Sequence, residues 1–199
     1  MSIALSEDQV ALAESVAKFA ARHAPTAATR REQGDLAAGI RPAWWDALRQ
    51  QGLLSLHLPA RAGGDEAGLE ELAVVVEETG RGLLPGPFLP TVLASSVVAR
   101  LAASPAHDDL LARFAAGATG TCATTAEGLT AERATGDAGW LVTGTTVPVI
   151  GALSAQAAVL GAHVRDASSP SAPGSETDES GASPASDASH GKVIAQPAP

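Results

Sequence analysis

The rhythm of apolar and polar positions divides the chain into a helical stretch, a β-compatible stretch and a tail without periodicity. The first helix is the best marked. Ser6 stands three residues before Gln9, the spacing of a capping box, and Leu5 and Val10 flank that box as a hydrophobic staple. Leu12, Val16 and Phe19 then share one face at i, i+4 and i+7. Arg22 and His23 suit a helix carboxyl end and Pro25 stops it, so the pattern predicts a helix from Glu7 to His23. The polar stretch from Thr29 to Gly39 reads as a loop. Pro42 is placed to open a short helix carrying Trp44, Trp45 and Leu48, with Gly52 closing it. An apolar connector, Leu53 to Pro59, and a glycine-rich loop, Arg61 to Gly68, lead to a third helix over Leu69–Arg81 with Leu72, Val76 and Thr79 on one face. A fourth follows Pro90 with Leu93, Val97 and Leu101 at i, i+4 and i+8. Ser104 caps a fifth, which starts at Pro105, carries Leu110, Leu111 and Phe114 and ends near Gly117.

At Ala118 the texture changes. Thr119 to Thr125 is threonine-rich and suits a strand; Gly139 to Thr143 alternates as a strand after a turn containing Gly136 and Asp137. Thr145–Ile150 and Gln156–Val164 are two further strand candidates, the first confined to an edge or bulge by Pro148. From about Ala167 serine, proline, glycine and acidic residues dominate, too few apolar groups to offset the entropy of ordering, and this tail is predicted to be disordered. The predicted organisation is an α-helical domain over 1–117, a partial β-domain over 118–166 and a tail over 167–199. The fold class is α+β, an all-α domain followed by an incomplete antiparallel β-domain.

Composition narrows the function. Hydrophobic residues make up 45% of the 199, much of it alanine, which favours helix-on-helix packing over a thick sandwich. Aromatic residues are 3% with no tyrosine, which leaves few platforms for stacking bases, and a net charge of −9 repels phosphate backbones. Nucleic acid is therefore not an expected partner. Cys122 is the single cysteine and forms neither an internal disulfide nor a multi-cysteine metal site; it reads as a small buried strand residue rather than a nucleophile. The five histidines have no metal-ligand spacing. The amino terminus lacks the basic region of a signal peptide, and no run approaches the ~18 apolar residues of a membrane span, so a soluble cytoplasmic protein is expected.

Five local words then point to one family. Leu5-Ser6-Glu7-Asp8-Gln9 resembles the opening of acyl-CoA dehydrogenases, and Phe19 and Pro25 match the end of that family's first helix. Trp45, Leu48, Gly52 and Leu53 match the next helix and its exit. Pro59-Ala60-Arg61-Ala62-Gly63-Gly64, followed by Gly68, resembles the family's proline-to-glycine loop, and Glu77-Glu78-Thr79-Gly80-Arg81 resembles the end of its third helix. The resemblance runs from about Leu5 to Val164.

It implies FAD-dependent oxidation of the Cα–Cβ bond of an acyl-CoA thioester, in which a glutamate removes the α-proton and the flavin accepts hydride. Members assemble as homo- or hetero-oligomers with another acyl-CoA dehydrogenase-like chain. The base lies in a second helical domain, which the chain is expected to lack, so no catalytic residue and no metal ligand are assigned. The resemblance places Thr124, Thr125, Val149 and Ile150 at the flavin and Phe88, Leu89 and Val92 near the acyl chain. The β-domain departs from the family. Thr124-Thr125-Ala126-Glu127-Gly128-Leu129-Thr130 stands where a Glu-Pro pair and a Gly-Ser-Asp are due. Pro148 falls where the flavin-backing tryptophan belongs and Ile150 where its hydroxyl belongs, and neither side chain supplies a hydrogen bond. One explanation is a divergent active member; a second is a partner subunit of a heteromeric acyl-CoA dehydrogenase, of the kind found in actinobacterial sterol degradation; a third is a truncated or frame-shifted fragment. Fatty and steroid acyl groups both remain open. Glu77 and Glu78 read as a solvated or interface helix face, and Gly63-Gly64 as a turn.

Overall fold

The computed structural model describes residues 5–25, 34–35, 38–123, 125, 127–134, 139–165 and 192–195. Thr124, the Gly136-Asp137 turn and residues 167–191 and 196–199 of the tail lie outside the described residues. The elements fall into two compact units, one built mainly from Met1–Cys122 and Val149–Val159, the other from Ala123–Pro148 and Leu160–Ala195.

The first unit is the helical one. Helix α1 spans Glu7–His23 and begins with the predicted capping box: the Ser6 hydroxyl accepts from Gln9 N–H at 3.2 Å and the Gln9 side chain accepts from Ser6 N–H at 3.0 Å. Each bond satisfies an amide that the helix start leaves without a partner. Helix α2 is Trp45–Gln50, α3 Leu69–Arg81, α4 Phe88–Ala99 and α5 Pro105–Ala115. Helix α1 packs along α3, and Gln9 Nε2 donates to the Glu71 carboxylate at 3.1 Å across them. The core gathers Val16, Phe19, Trp44, Trp45, Leu48, Leu54, Val75, Phe88 and Val92. Trp45 is fully buried, and its indole N–H donates to the Gly117 carbonyl at 2.8 Å, tying α2 to the turn after α5. Gly63 takes a left-handed φ of 78° at the close of the Ala60–Ala62 3₁₀ turn, and a Cβ on Gly64 would meet the Leu58 carbonyl at 2.1 Å, so this Gly-Gly pair is a turn by steric necessity. Glu77 and Glu78 both pair with Arg81; Glu77 is exposed, whereas the Glu78 side chain is largely covered. Strands β1, Gly120–Ala123, and β4, Ala157–Gly161, are neighbours in one sheet.

The second unit holds a three-stranded sheet in the order β3-β2-β5, with β2 at Leu129–Arg133, β3 at Trp140–Gly144 and β5 at His163–Arg165. Strands β2 and β3 run antiparallel, with Leu129 opposite Gly144 and Arg133 opposite Trp140, whereas β2 and β5 run parallel. Its buried face is small: Leu129, Ala131 and Ala162, with Val142 and Leu160 beside them.

Several boundaries differ from the sequence pattern. Helix α4 begins at Phe88, with Pro90 inside its first turn, where a missing N–H costs nothing. Its buried face is Phe88, Thr91, Val92, Ser95 and Val98, and Leu93 is 48% exposed. The segment is apolar on every side, so periodicity alone picks the wrong stripe. Residues 145–149 form no strand: β3 ends at Gly144 with φ 128°, and Pro148 has no N–H to give. Strand β2 went unpredicted because its sequence, Leu-Thr-Ala-Glu-Arg, carries only two apolar residues. Gln156–Val164 divides into β4 and β5, and within the predicted tail a short strand, β6, occupies Lys192–Ala195. No helix among the described residues is long and apolar enough to cross a membrane.

Candidate functional site

Within the first unit, the start of α4 and the loop before β4 meet. A Cβ added to Gly151, which has φ 77°, would lie 2.7 Å from Pro90 Cγ, so loop and helix are packed backbone to ring. The predicted acyl-chain segment and the predicted flavin-edge positions Val149 and Ile150 are thereby brought together.

Three buried threonines hold this junction. Thr91, on α4, accepts from Gly120 N–H at 2.9 Å. Thr121 donates to the Ile150 carbonyl at 2.7 Å, and Thr119 donates to the Ser154 carbonyl. Gln156 closes the other end, accepting from Thr119 N–H at 3.1 Å and donating its own N–H to the Thr119 carbonyl at 2.9 Å. A hydroxyl committed to a carbonyl in a buried setting fixes backbone position, because breaking the pair leaves an unpaired polar group that costs about 1–3 kcal/mol. The loop is thus pinned by its backbone while its side chains stay free: Ile150 is 73% exposed and Leu153 82%. The sequence shows these threonines only as a β-prone run; that their hydroxyls would serve the loop has no local signature.

The predicted residues separate on inspection. Phe88 and Val92 lie in the core, at 3% and 1% exposure, and only Leu89, at 40%, offers surface. Of the flavin positions, Val149 is half-buried, Ile150 points its aliphatic chain outward, and Thr125, in the second unit, is exposed. Among the described residues, the junction presents the exposed leucine and isoleucine side chains of Leu89, Ile150 and Leu153. Such a surface suits contact with an aliphatic body. At the two positions aligned with the family's flavin word, Pro148 has no N–H and Ile150 no hydroxyl, and the Thr121 hydroxyl proton goes to the Ile150 carbonyl. In the second unit Thr146 keeps a buried hydroxyl with no protein partner.

Residues 6–118 match the family model for the acyl-CoA dehydrogenase N-terminal domain. Acyl-CoA dehydrogenase IpdE2 of Mycobacterium tuberculosis is 35% identical over 111 residues, which are 56% of this chain and 34% of that protein. Acyl-CoA dehydrogenase FadE34 of the same organism is 35% identical over 78 residues, 38% of this chain and 11% of that protein. The chain thus spans about a third of IpdE2 and about a tenth of FadE34. Among solved structures, the ChsE4–ChsE5 complex from Mycobacterium tuberculosis superposes with a TM-score of 0.71 at 26% identity, covering 82% of this chain and 46% of that one. A variant of the Tcur3481–Tcur3483 steroid ACAD gives 0.66 at 27% identity, covering 79% and 45%. With the capping box, the tryptophan helix and the Gly-Gly turn all in place across a match that takes in more than half of its residues, the chain belongs to the acyl-CoA dehydrogenase family through its N-terminal domain.

Proposed function

We propose that the chain serves FAD-dependent α,β-dehydrogenation of an acyl-CoA thioester as a subunit that does not hold the flavin itself, the flavin being held with another acyl-CoA dehydrogenase-like chain. The observation that carries this reading is Ile150, an exposed aliphatic side chain on a loop pinned by Thr121, at the position where the family places a hydroxyl. FAD, when bound, supplies the electron sink for hydride from Cβ. What this chain's residues contribute is binding and exclusion of water: Leu89 and Leu93 of α4 and Ile150 and Leu153 of the loop offer aliphatic surface to an acyl body. The base that takes the α-proton is assigned to another part of the assembly. Two relatives are named as pairs, ChsE4–ChsE5 and Tcur3481–Tcur3483, which supports a heteromer, and the second is named a steroid ACAD, which favours a bulky polycyclic acyl group over a linear one.

The test is flavin content. The chain alone, titrated with FAD, is expected to leave flavin absorbance and fluorescence unchanged, and co-expression with candidate partner chains is expected to yield a yellow complex active on acyl-CoA. Stoichiometric FAD binding by the chain alone overturns the proposal. That outcome revives a self-sufficient enzyme, which the uncommitted buried hydroxyl of Thr146 favours. No yellow complex with any partner would leave a non-catalytic fragment.

A further inference from the structure

The sheet of the second unit has an open edge whose backbone groups are assigned by the register. In the order β3-β2-β5, strand β3 stands at the end. Across the β2–β3 pair, Thr145 N–H donates to the Gly128 carbonyl and Ala134 N–H to the Gly139 carbonyl, each at 3.0 Å. These bonds flank the register that sets Leu129 opposite Gly144 and Arg133 opposite Trp140. Bonded and non-bonded pairs alternate in an antiparallel ladder, so Leu141 and Thr143 turn their backbone groups toward β2. Trp140, Val142 and Gly144 turn both N–H and C=O outward. Among the described residues no strand of this sheet takes them; β6 comes near β3 but belongs to the other sheet.

Natural sheets guard such an edge with charge, proline or a bulge. Strand β3 reads Trp-Leu-Val-Thr-Gly, without charge or proline, and its register with β2 runs without a bulge. The apolar face behind the edge is small, and Trp140 at its end stays 39% exposed.

We propose that the outer edge of β3 pairs antiparallel with the same edge of a second copy of this chain, about a two-fold axis at Val142. The strand is its own complement. The outward residues 140, 142 and 144 are symmetric about Val142, so one register pairs Val142 with its counterpart and each Trp140 with the copy's Gly144. No outward N–H or C=O is then left over. Each large ring lies beside a residue with no side chain, next to the copy's Leu129, which stands opposite Gly144. The two small apolar faces thereby join into one across the axis. Charge does not oppose this: Glu132 and Arg165, the nearest ion pair, satisfy each other at 3.2 Å within one copy. The net charge of −9 belongs to the whole chain and is screened beyond about 8 Å at physiological salt. An edge of five residues is small beside the ~1,200–2,000 Å² of stable interfaces, so dissociation on the order of 10–100 µM is expected. The pairing requires neither flavin nor acyl-CoA.

The experiment is sedimentation equilibrium of the full chain over about 5–500 µM, where a monomer–dimer equilibrium is expected. Leu141 is 61% exposed, and Leu141→Lys sets two like charges about 7–8 Å apart across the axis; it should weaken the dimer at least about fivefold. Register is read by cross-linking in a Cys122→Ser background. Val142→Cys should form a disulfide between copies on mild oxidation, because bonded opposite residues have Cα atoms ~5.5 Å apart. Leu141→Cys faces Thr143 of the copy instead and should cross-link at least about tenfold more slowly. Where Val142→Cys loses its fold, Leu141→Lys, at its exposed site, still decides. Three results overturn the proposal: a monomer at every concentration, a dimer that Leu141→Lys leaves unchanged, or equal cross-linking at positions 141 and 142.

Discussion

The two units of this chain bury very different things. The helical unit closes around two tryptophans, two phenylalanines and a set of leucines and valines from α1 to α4. The β3-β2-β5 sheet closes around Leu129, Ala131 and Ala162, and its outer strand β3 leaves Trp140 39% and Leu141 61% exposed. What holds the sheet's edges is on the surface: Arg165 pairs with Glu132 at 3.2 Å and Arg133 lies 5.1 Å over the Trp140 ring. Stability follows apolar area withdrawn from water, whereas exposed pairs contribute little, so the helical unit should dominate the folding free energy. The family match over residues 6–118 lies in that same unit, while the departures from the family's flavin words lie after it.

The largest test of this contrast is Trp45→Ala. It empties a fully buried site and leaves the Gly117 carbonyl with only its 3.3 Å bond from Arg41, and should cost about 3–5 kcal/mol in urea unfolding followed by helical circular dichroism. Next comes acid. Burial keeps His57 neutral in the folded chain down to about pH 4, whereas the ring binds a proton near 6.5 when unfolded, so the unfolded state holds more protons between those values. Stability should fall as pH drops from 6.5 to 4, by roughly 1–2 kcal/mol once partial solvent screening of the ring is allowed for, and His57→Gln should flatten that part of the profile. Ser6→Ala removes one half of the capping box and should cost about 1 kcal/mol, read as fraying of the first turn of α1 by hydrogen exchange. The smallest effect is expected for Trp140→Ala, under about 1 kcal/mol, because the ring is exposed and its cation contact is solvent-screened. A loss at Trp140 as large as that at Trp45 would break the comparison.

Much of the helical unit was legible. Glu7–His23 and Leu69–Arg81 were readable to the residue because a capping box and closing glycines punctuate a clean 3.6-residue rhythm. Helix α4 was readable as a helix but not as a face, since its apolar residues surround it. The β region was less legible: β2 is short and half polar, and its identity as a central strand comes from partners about 7 to 33 residues away. Of the candidate acyl-chain residues, Phe88 and Val92 are turned into the core, leaving Leu89 at the surface.

The sequence by itself determined the family, the helical order and the loss of hydrogen-bonding groups at Pro148 and Ile150, because caps, turns and side-chain chemistry are properties of neighbouring residues. Only the tertiary structure decided that Thr119 and Thr121 grip the loop at Ser154 and Ile150 and that Gly151 seats against Pro90. Those contacts join residues some 30 to 60 positions apart, and contacts of that range are set by how the elements pack, which no local pattern encodes.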